Sequence, residues 1–287
     1  MSPQTSLVGF CLLAYGHTWM CWLSIGLARA GSLELPVSDA FLATLGQFGP
    51  FAAAVVFTAL DGGSGGLRRL LGRFLLWRVN PVWYGVVLLL PPALICSAKA
   101  AHALVEGTTV QAPSYGDAST LLPHFVFILL VGGPLGEELG WRGFALCRLR
   151  ARWPSIPASA LLGVIWAGWH LPLWWIADVP PSLGFYVVGT IALTYLFTWV
   201  WDHTQGSVLL AMLFHASLNT SLSRLDVRPA WIEWTALLWL VALAVGIVEW
   251  RRRRRTGCAA PLPLDNAADP IASADGTEKR ETFFGRR

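Results

Sequence analysis

Gly132-Gly-Pro-Leu-Gly-Glu-Glu-Leu-Gly-Trp-Arg142 closes an apolar run that begins near Leu121. Two adjacent carboxylates, Glu137 and Glu138, therefore stand inside a segment hydrophobic enough to enter a bilayer. An ionised side chain at that depth costs roughly 3 kcal/mol or more, so an intramembrane acidic pair reads first as a functional site. Arg142 is four residues after Glu138, on the same helical face, and pairing the two lowers the cost of burying either. Glu137 is turned about 100° from Glu138 on a helix, so only one of the carboxylates can face the arginine.

The rest of the chain supports the membrane reading. Hydrophobic residues make up 55% of it and charged residues 13%, where a soluble domain carries about 25% charged residues. Mean hydropathy is +0.54. The sixteen tryptophans suit aromatic belts at two water interfaces. At about 20 apolar residues per crossing, eight spans are expected, near residues 6–28, 40–60, 82–103, 121–146, 156–177, 184–203, 207–223 and 231–250. The seventh is short and polar. The fold class is all-α, a polytopic membrane helix bundle, because helices satisfy their own backbone in lipid and no strand-like alternation appears.

Four regions follow: amino-terminal spans over 1–119, a core over 120–222, a last span with an arginine stop over 223–255, and a polar tail over 256–287, expected to be disordered. With the amino terminus inside, Arg68, Arg69, Arg73, Arg78, Arg148, Arg150, Arg152 and Arg251 to Arg255 are cytoplasmic. The other face receives only Arg29, Lys99, Arg224 and Arg228. That bias predicts both termini in the cytoplasm. Asp61 to Gly66 reads as a flexible hinge, and Leu67 to Trp77 as an amphipathic segment along the cytoplasmic interface. The Arg251–Arg255 block suits anionic lipid, and nucleic-acid binding is not expected because no folded basic domain surrounds it.

Ala28-Arg-Ala30 resembles a signal-peptidase site, but no basic segment precedes the first apolar run, which reads as an uncleaved span. Cys11, Cys21, Cys96, Cys147 and Cys258 show no paired or metal-type spacing. Cys258-Ala-Ala-Pro is an internal sequence, and prenylation of the chain itself is not expected.

Two further spans carry polar residues, His170 in one and His215 with Asn219 in another. Counting 1.5 Å per residue, Glu137 lies about 16 Å from Arg148, His170 about 21 Å from Ile156, and His215 about 12 Å from Ser207. All three sites then share one slab of the membrane. Singly, each has a plain structural reading. Glu138 with Arg142 could be an ion pair, His170 a hydrogen-bonded packing residue, and His215 with Asn219 interhelical glue. Together they point to a site that either binds a divalent metal such as zinc or activates water directly. Gly132, Gly136 and Gly140 recur every fourth residue, which suits close helix approach, with a backbone opening at Pro134 as the lesser reading. His17, His102, His124 and His203 lack matching partners and are expected to be structural.

Glu137-Glu138-x-x-x-Arg142, Trp166-x-x-x-His170 and His215-x-x-x-Asn219, in that order, resemble the CPBP family: CAAX-prenyl-protease and bacteriocin-processing type intramembrane proteases, also called Abi proteins. The resemblance covers about residues 120–222. The family's second motif usually begins with Phe; Trp166 replaces it here and reads as a packing aromatic.

The resemblance implies a membrane endopeptidase whose site opens towards the cytoplasm, in a bacterial plasma membrane. Glu137 would activate water, Glu138 and Arg142 would support it, His170 and His215 would bind or polarise, and Asn219 would stabilise the oxyanion. Both metal-dependent and glutamate-dependent forms are described, so a divalent metal on Glu137, His170 and His215 is one expectation. The partners implied are the bilayer and a membrane-associated peptide or protein, prenylated, CAAX-like or bacteriocin-type. A non-proteolytic scaffold or immunity protein of the same family is the alternative. A proton- or ion-coupled transporter would also use buried Glu and His, but no inverted repeat supports one.

Overall fold

The computed structural model describes residues 2–110, 112, 114–176 and 182–256. The polar tail beyond Thr256 lies outside the described residues. Twelve α-helices follow in order: α1 Pro3–Arg29, α2 Asp39–Gln47, α3 Gly49–Gly72, α4 Val82–Val105, α5 Ala118–Val131, α6 Pro134–Glu138, α7 Cys147–Arg152, α8 Ser155–Trp169, α9 Leu173–Ile176, α10 Leu183–His203, α11 Val208–Leu225 and α12 Trp231–Thr256. A π-helical segment, Leu139–Leu146, joins α6 to α7. The protein is an all-helical membrane bundle, with seven stretches of the described residues long and apolar enough to cross a bilayer.

α11 is not among those seven, yet it stands at the centre of the bundle against α4, α5, α6 and α10. Its 18 residues span about 27 Å at 1.5 Å per residue. Neighbours shield it from lipid, so it can carry Ser217, Thr220, Ser221 and His215 buried. Ser217 Oγ donates to the Leu88 carbonyl across 2.8 Å, which turns a polar group into a clamp on α4. Ser207 caps the helix by accepting from the Leu210 N–H.

Three segments differ from the sequence expectation. Asp61 to Gly66 is helical on either side of a kink: at Gly63, φ 55° and ψ −148° leave the helical range and separate the two helical stretches of α3. Only glycine takes that conformation cheaply. The expected single span over 121–146 is broken at Gly132 and Gly133, and the one over 156–177 ends at Trp169. Pro172 explains the second break, since it has no N–H to offer the Gly168 carbonyl.

The arginine-rich end is tied together by side chains. Asp202 accepts from Arg150 Nε at 3.1 Å and from Ser155 Oγ at 2.7 Å, joining α7, α8 and α10. Asp61 accepts from Ser6 and from Arg148, joining α1, α3 and α7. At the opposite end Lys99 donates to the Leu225 carbonyl, and Arg29 pairs with Asp39.

Candidate active site

The acidic pair opens a new helix rather than ending an old one. α5 stops at Val131, Gly133 adopts φ 113°, and Pro134 starts α6 with the φ it already favours. Gly133 must be glycine twice over. Its backbone is left-handed, and a β-carbon there would stand 2.7 Å from Glu137 Oε1. The same point lies 3.8 Å from Asn219 Nδ2 and 3.8 Å from Gln47 Oε1, so three polar groups surround it. Gly136 and Gly140 serve close approach: β-carbons there would meet the Gln47 carbonyl oxygen at 2.6 Å and that of Pro50 at 2.5 Å. Both readings of this glycine-rich stretch therefore apply, a backbone break at 132–134 and tight packing at 136 and 140.

The two carboxylates have different surroundings. Glu138 is fully buried, and its Oε1 accepts from Arg142 Nη1 at 2.8 Å and from His215 Nδ1 at 2.7 Å. Arg142, also fully buried, stands between the rings of Trp166 and Phe197, its Cζ 4.3 and 3.9 Å from their centroids. Two aromatic faces and a carboxylate offset part of the cost of burying it, while its Nε and Nη2 stay without a hydrogen-bond partner. Glu137 points the other way, accepting from Trp166 Nε1 at 2.9 Å through Oε2.

Each histidine is oriented through Nδ1. A carboxylate only accepts, so His215 carries its proton on Nδ1 and donates it to Glu138. His170 is the first residue past α8, and its Nδ1 donates to the Trp166 carbonyl at 2.8 Å. In both rings Nε2 is left for other chemistry. Asn219, one turn after His215 on α11, donates Nδ2 to the Gly132 carbonyl at 3.2 Å.

These groups share a cavity of about 270 Å³. Glu137, His170, His215 and Asn219 line it, while Glu138 and Arg142 stand behind the wall. The structure thus divides the six sequence candidates into four that face the cavity and two behind them, Glu138 bonded to His215 and Arg142 bonded to Glu138.

Two residues at the site escaped the sequence reading. Trp166 is not merely a packing aromatic: besides donating to Glu137, its ring lies 5.6 Å from that of His170 and 5.7 Å from that of His215. The replacement of Phe by Trp was the available signal, since only the indole brings an N–H. Gln47, at the end of α2, lines the cavity with a buried Oε1 that has no hydrogen-bond partner. Nothing in its local sequence marks it.

The donor set bears on whether an ion could be held here. Among the described residues no three His, Cys, Asp or Glu side chains are grouped so that they could hold an ion. Glu137 Oε2 and both Nδ1 atoms bond to protein partners, a mounting that leaves each Nε2 available to a water or to an ion.

Residues 119–221 match the family model described as type II CAAX prenyl endopeptidase Rce1-like. The chain is 28% identical over 214 residues to CAAX prenyl protease 2 of Methanococcus maripaludis, covering 70% of this chain and 78% of that protein. All six candidate residues lie inside the matched region, whereas Gln47 lies outside it. Over this region the chain is similar to type II CAAX prenyl endopeptidases.

Proposed function

We propose that the chain hydrolyses a peptide bond of a membrane-associated substrate, with Glu137 as the base that activates water. The observation that carries this reading is the asymmetry of the acidic pair. Glu138 is neutralised by Arg142 and spent on orienting His215, which leaves Glu137 as the carboxylate facing the cavity. Separating the environments of two adjacent acids is how one of them is freed for chemistry.

A water held between Glu137 and the Nε2 lone pair of His170 donates to both. As Glu137 takes its proton, the oxygen adds to the scissile carbonyl carbon, and the carbonyl oxygen becomes an oxyanion. Asn219 Nδ2 donates to it, and preorganised donors of this kind are worth about 3–4 kcal/mol of barrier. The proton on Glu137 then passes to the leaving nitrogen as the C–N bond breaks, which regenerates the carboxylate. His215, locked by Glu138, resembles in its mounting an imidazole oriented by a carboxylate in a hydrolase triad.

The substrate is a peptide that reaches the cavity from lipid. The name of the Methanococcus relative makes a prenylated carboxy-terminal box the first substrate to try. The test uses purified protein in lipid nanodiscs with that peptide and with an unprenylated apolar peptide, each with and without a chelator. Cleavage by the wild type and none by Glu137→Gln is the expected result. Equal cleavage by both proteins would remove Glu137 from the mechanism, and a requirement for added zinc would remove the metal-free pathway.

A further inference from the structure

We infer that the catalytic cavity opens away from the cytoplasm, so that substrates enter it from the non-cytoplasmic half of the bilayer. The inference rests on reading the cavity as the protease site, and it combines two independent observations.

The first is where the cavity lies along the helices. α10, α11 and α12 run antiparallel in succession, and each gives the cavity residues from the same end of the bundle. α10 contributes Phe185 to Leu193, close to its start. α11 contributes His215 to Leu222, in its second half. α12 contributes Trp231 to Leu238, its first two turns. His170 lies just past the far end of α8, and α2 supplies Gln47 from the same side. The rim reaches Phe185, which is 45% exposed.

In the other direction the path is shut. Every residue from Leu139 to Leu146 is buried, and Glu138, Trp141, Arg142 and Phe144 have no exposed surface at all. The carboxylate–arginine pair and its aromatic neighbours form a floor between the cavity and the arginine-rich end.

The second observation is charge. The closed end carries Arg68, Arg69, Arg73, Arg78, Arg148, Arg150, Arg152 and the block from Arg251, while the open end has Arg29, Lys99, Arg224 and Arg228. On α12 the step from Trp231 at the rim to Arg251 is about 30 Å at 1.5 Å per residue, the thickness of the hydrocarbon core. Arginines in short loops beside spans stay in the cytoplasm. The closed floor is then cytoplasmic and the open rim is not. A cytoplasm-facing site, as the family resemblance implies, and cytoplasmic arginines cannot both hold in this bundle. The floor is sealed over a whole helical segment, so the arginine bias decides the orientation.

The chemistry of the lining narrows the substrate further. Glu137 is the only Asp, Glu, Lys or Arg among the described residues around the cavity, and Trp22, Leu173, Leu218, Trp231, Trp234 and Leu238 give its wall broad apolar faces. The fitting substrate is an apolar, uncharged stretch of a translocated or membrane-anchored protein, cut near the non-cytoplasmic leaflet.

The test reads orientation without relying on catalysis. In a full-length variant with all five cysteines replaced, a single cysteine is placed at Thr108, in the exposed loop after α4 at the open end, or at Asn80, exposed at the arginine-rich end. Intact cells are treated with a membrane-impermeant maleimide, and detergent-solubilised membranes provide the total labelling. The expected result is labelling of Thr108→Cys in intact cells and of Asn80→Cys only after solubilisation. The reverse pattern, or equal labelling of both in intact cells, overturns the inference. If the cysteine-free protein does not accumulate, the otherwise unaltered chain carries a carboxy-terminal fluorescent protein or alkaline phosphatase. Fluorescence without phosphatase activity supports the inference, and the opposite contradicts it. Loss of the Glu137 effect on cleavage, with orientation as expected, would refute the protease reading alone.

Discussion

The indole of Trp166 donates to Glu137 Oε2 across 2.9 Å, linking α8 to α6 over 29 residues of sequence. The same ring lies against the Arg142 guanidinium, so one side chain touches both the free carboxylate and the cation that neutralises its neighbour. Trp166→Phe keeps a ring in place and removes the N–H. The expected outcome is about a tenfold fall in kcat, equivalent to roughly 1.4 kcal/mol, with KM little changed. Steady-state kinetics against wild type check it. A KM effect alone would make the indole a wall of the substrate site rather than a support for the base.

Neutralising the two glutamates should give opposite stability results. Glu138→Gln leaves the fully buried Arg142 without its counter-charge, a loss of about 3–5 kcal/mol by the measure of broken buried pairs. Glu137→Gln can still accept from Trp166 and removes a carboxylate from a largely apolar wall, so its thermal stability should equal or exceed that of wild type. Both variants should be inactive. Thermal unfolding in detergent separates the supporting acid from the reacting one.

Gly136→Ala should cost about 1–3 kcal/mol of stability as an overpacked contact, because the added carbon meets the Gln47 backbone and not a flexible side chain. Activity should fall with it, since the contact presses α2 onto α6. Gly85→Ala meets nothing within 4 Å and serves as the control, with unchanged activity. Similar effects of the two substitutions would contradict the packing assignment.

Gln47 has an unpartnered buried oxygen on the cavity that Glu137 also lines, and its amide is expected to bind the substrate backbone. Gln47→Ala should raise KM about tenfold, roughly 1.4 kcal/mol of lost substrate interaction, and leave kcat near wild type. Gln47→Glu puts a second negative charge beside the base and should be more damaging. Kinetics unchanged in both variants would remove Gln47 from the substrate site.

The chemistry was more legible in the sequence than the backbone that carries it. Glu138 and Arg142 could be paired from their spacing because one turn of one helix brings them together. The opposed directions of Glu137 and Glu138 followed from the 100° step between neighbours. The bridge from Glu138 to His215 was hidden, since it depends on how α11 packs against α6 and not on either helix alone. Gln47 was hidden for the same reason, and its place is set by two glycines ninety residues away. Breaks at Gly133 and beyond Trp169 were obscured by apolar runs that read as continuous, because hydropathy does not register where a helix restarts inside the membrane. α11 read as a weak span on account of its polar residues, and the bundle shows why they are tolerated: its neighbours, and not lipid, surround it.

The most direct test of Glu137 as the base of an intramembrane protease compares peptide termini in membrane proteomes of cells carrying wild type or Glu137→Gln at equal abundance. Termini present only with the wild type, flanked by apolar sequence, are the result expected here, and they would name the substrates. Identical profiles, under conditions where deleting the protein changes the cell, would contradict it and leave a scaffold in place of an enzyme.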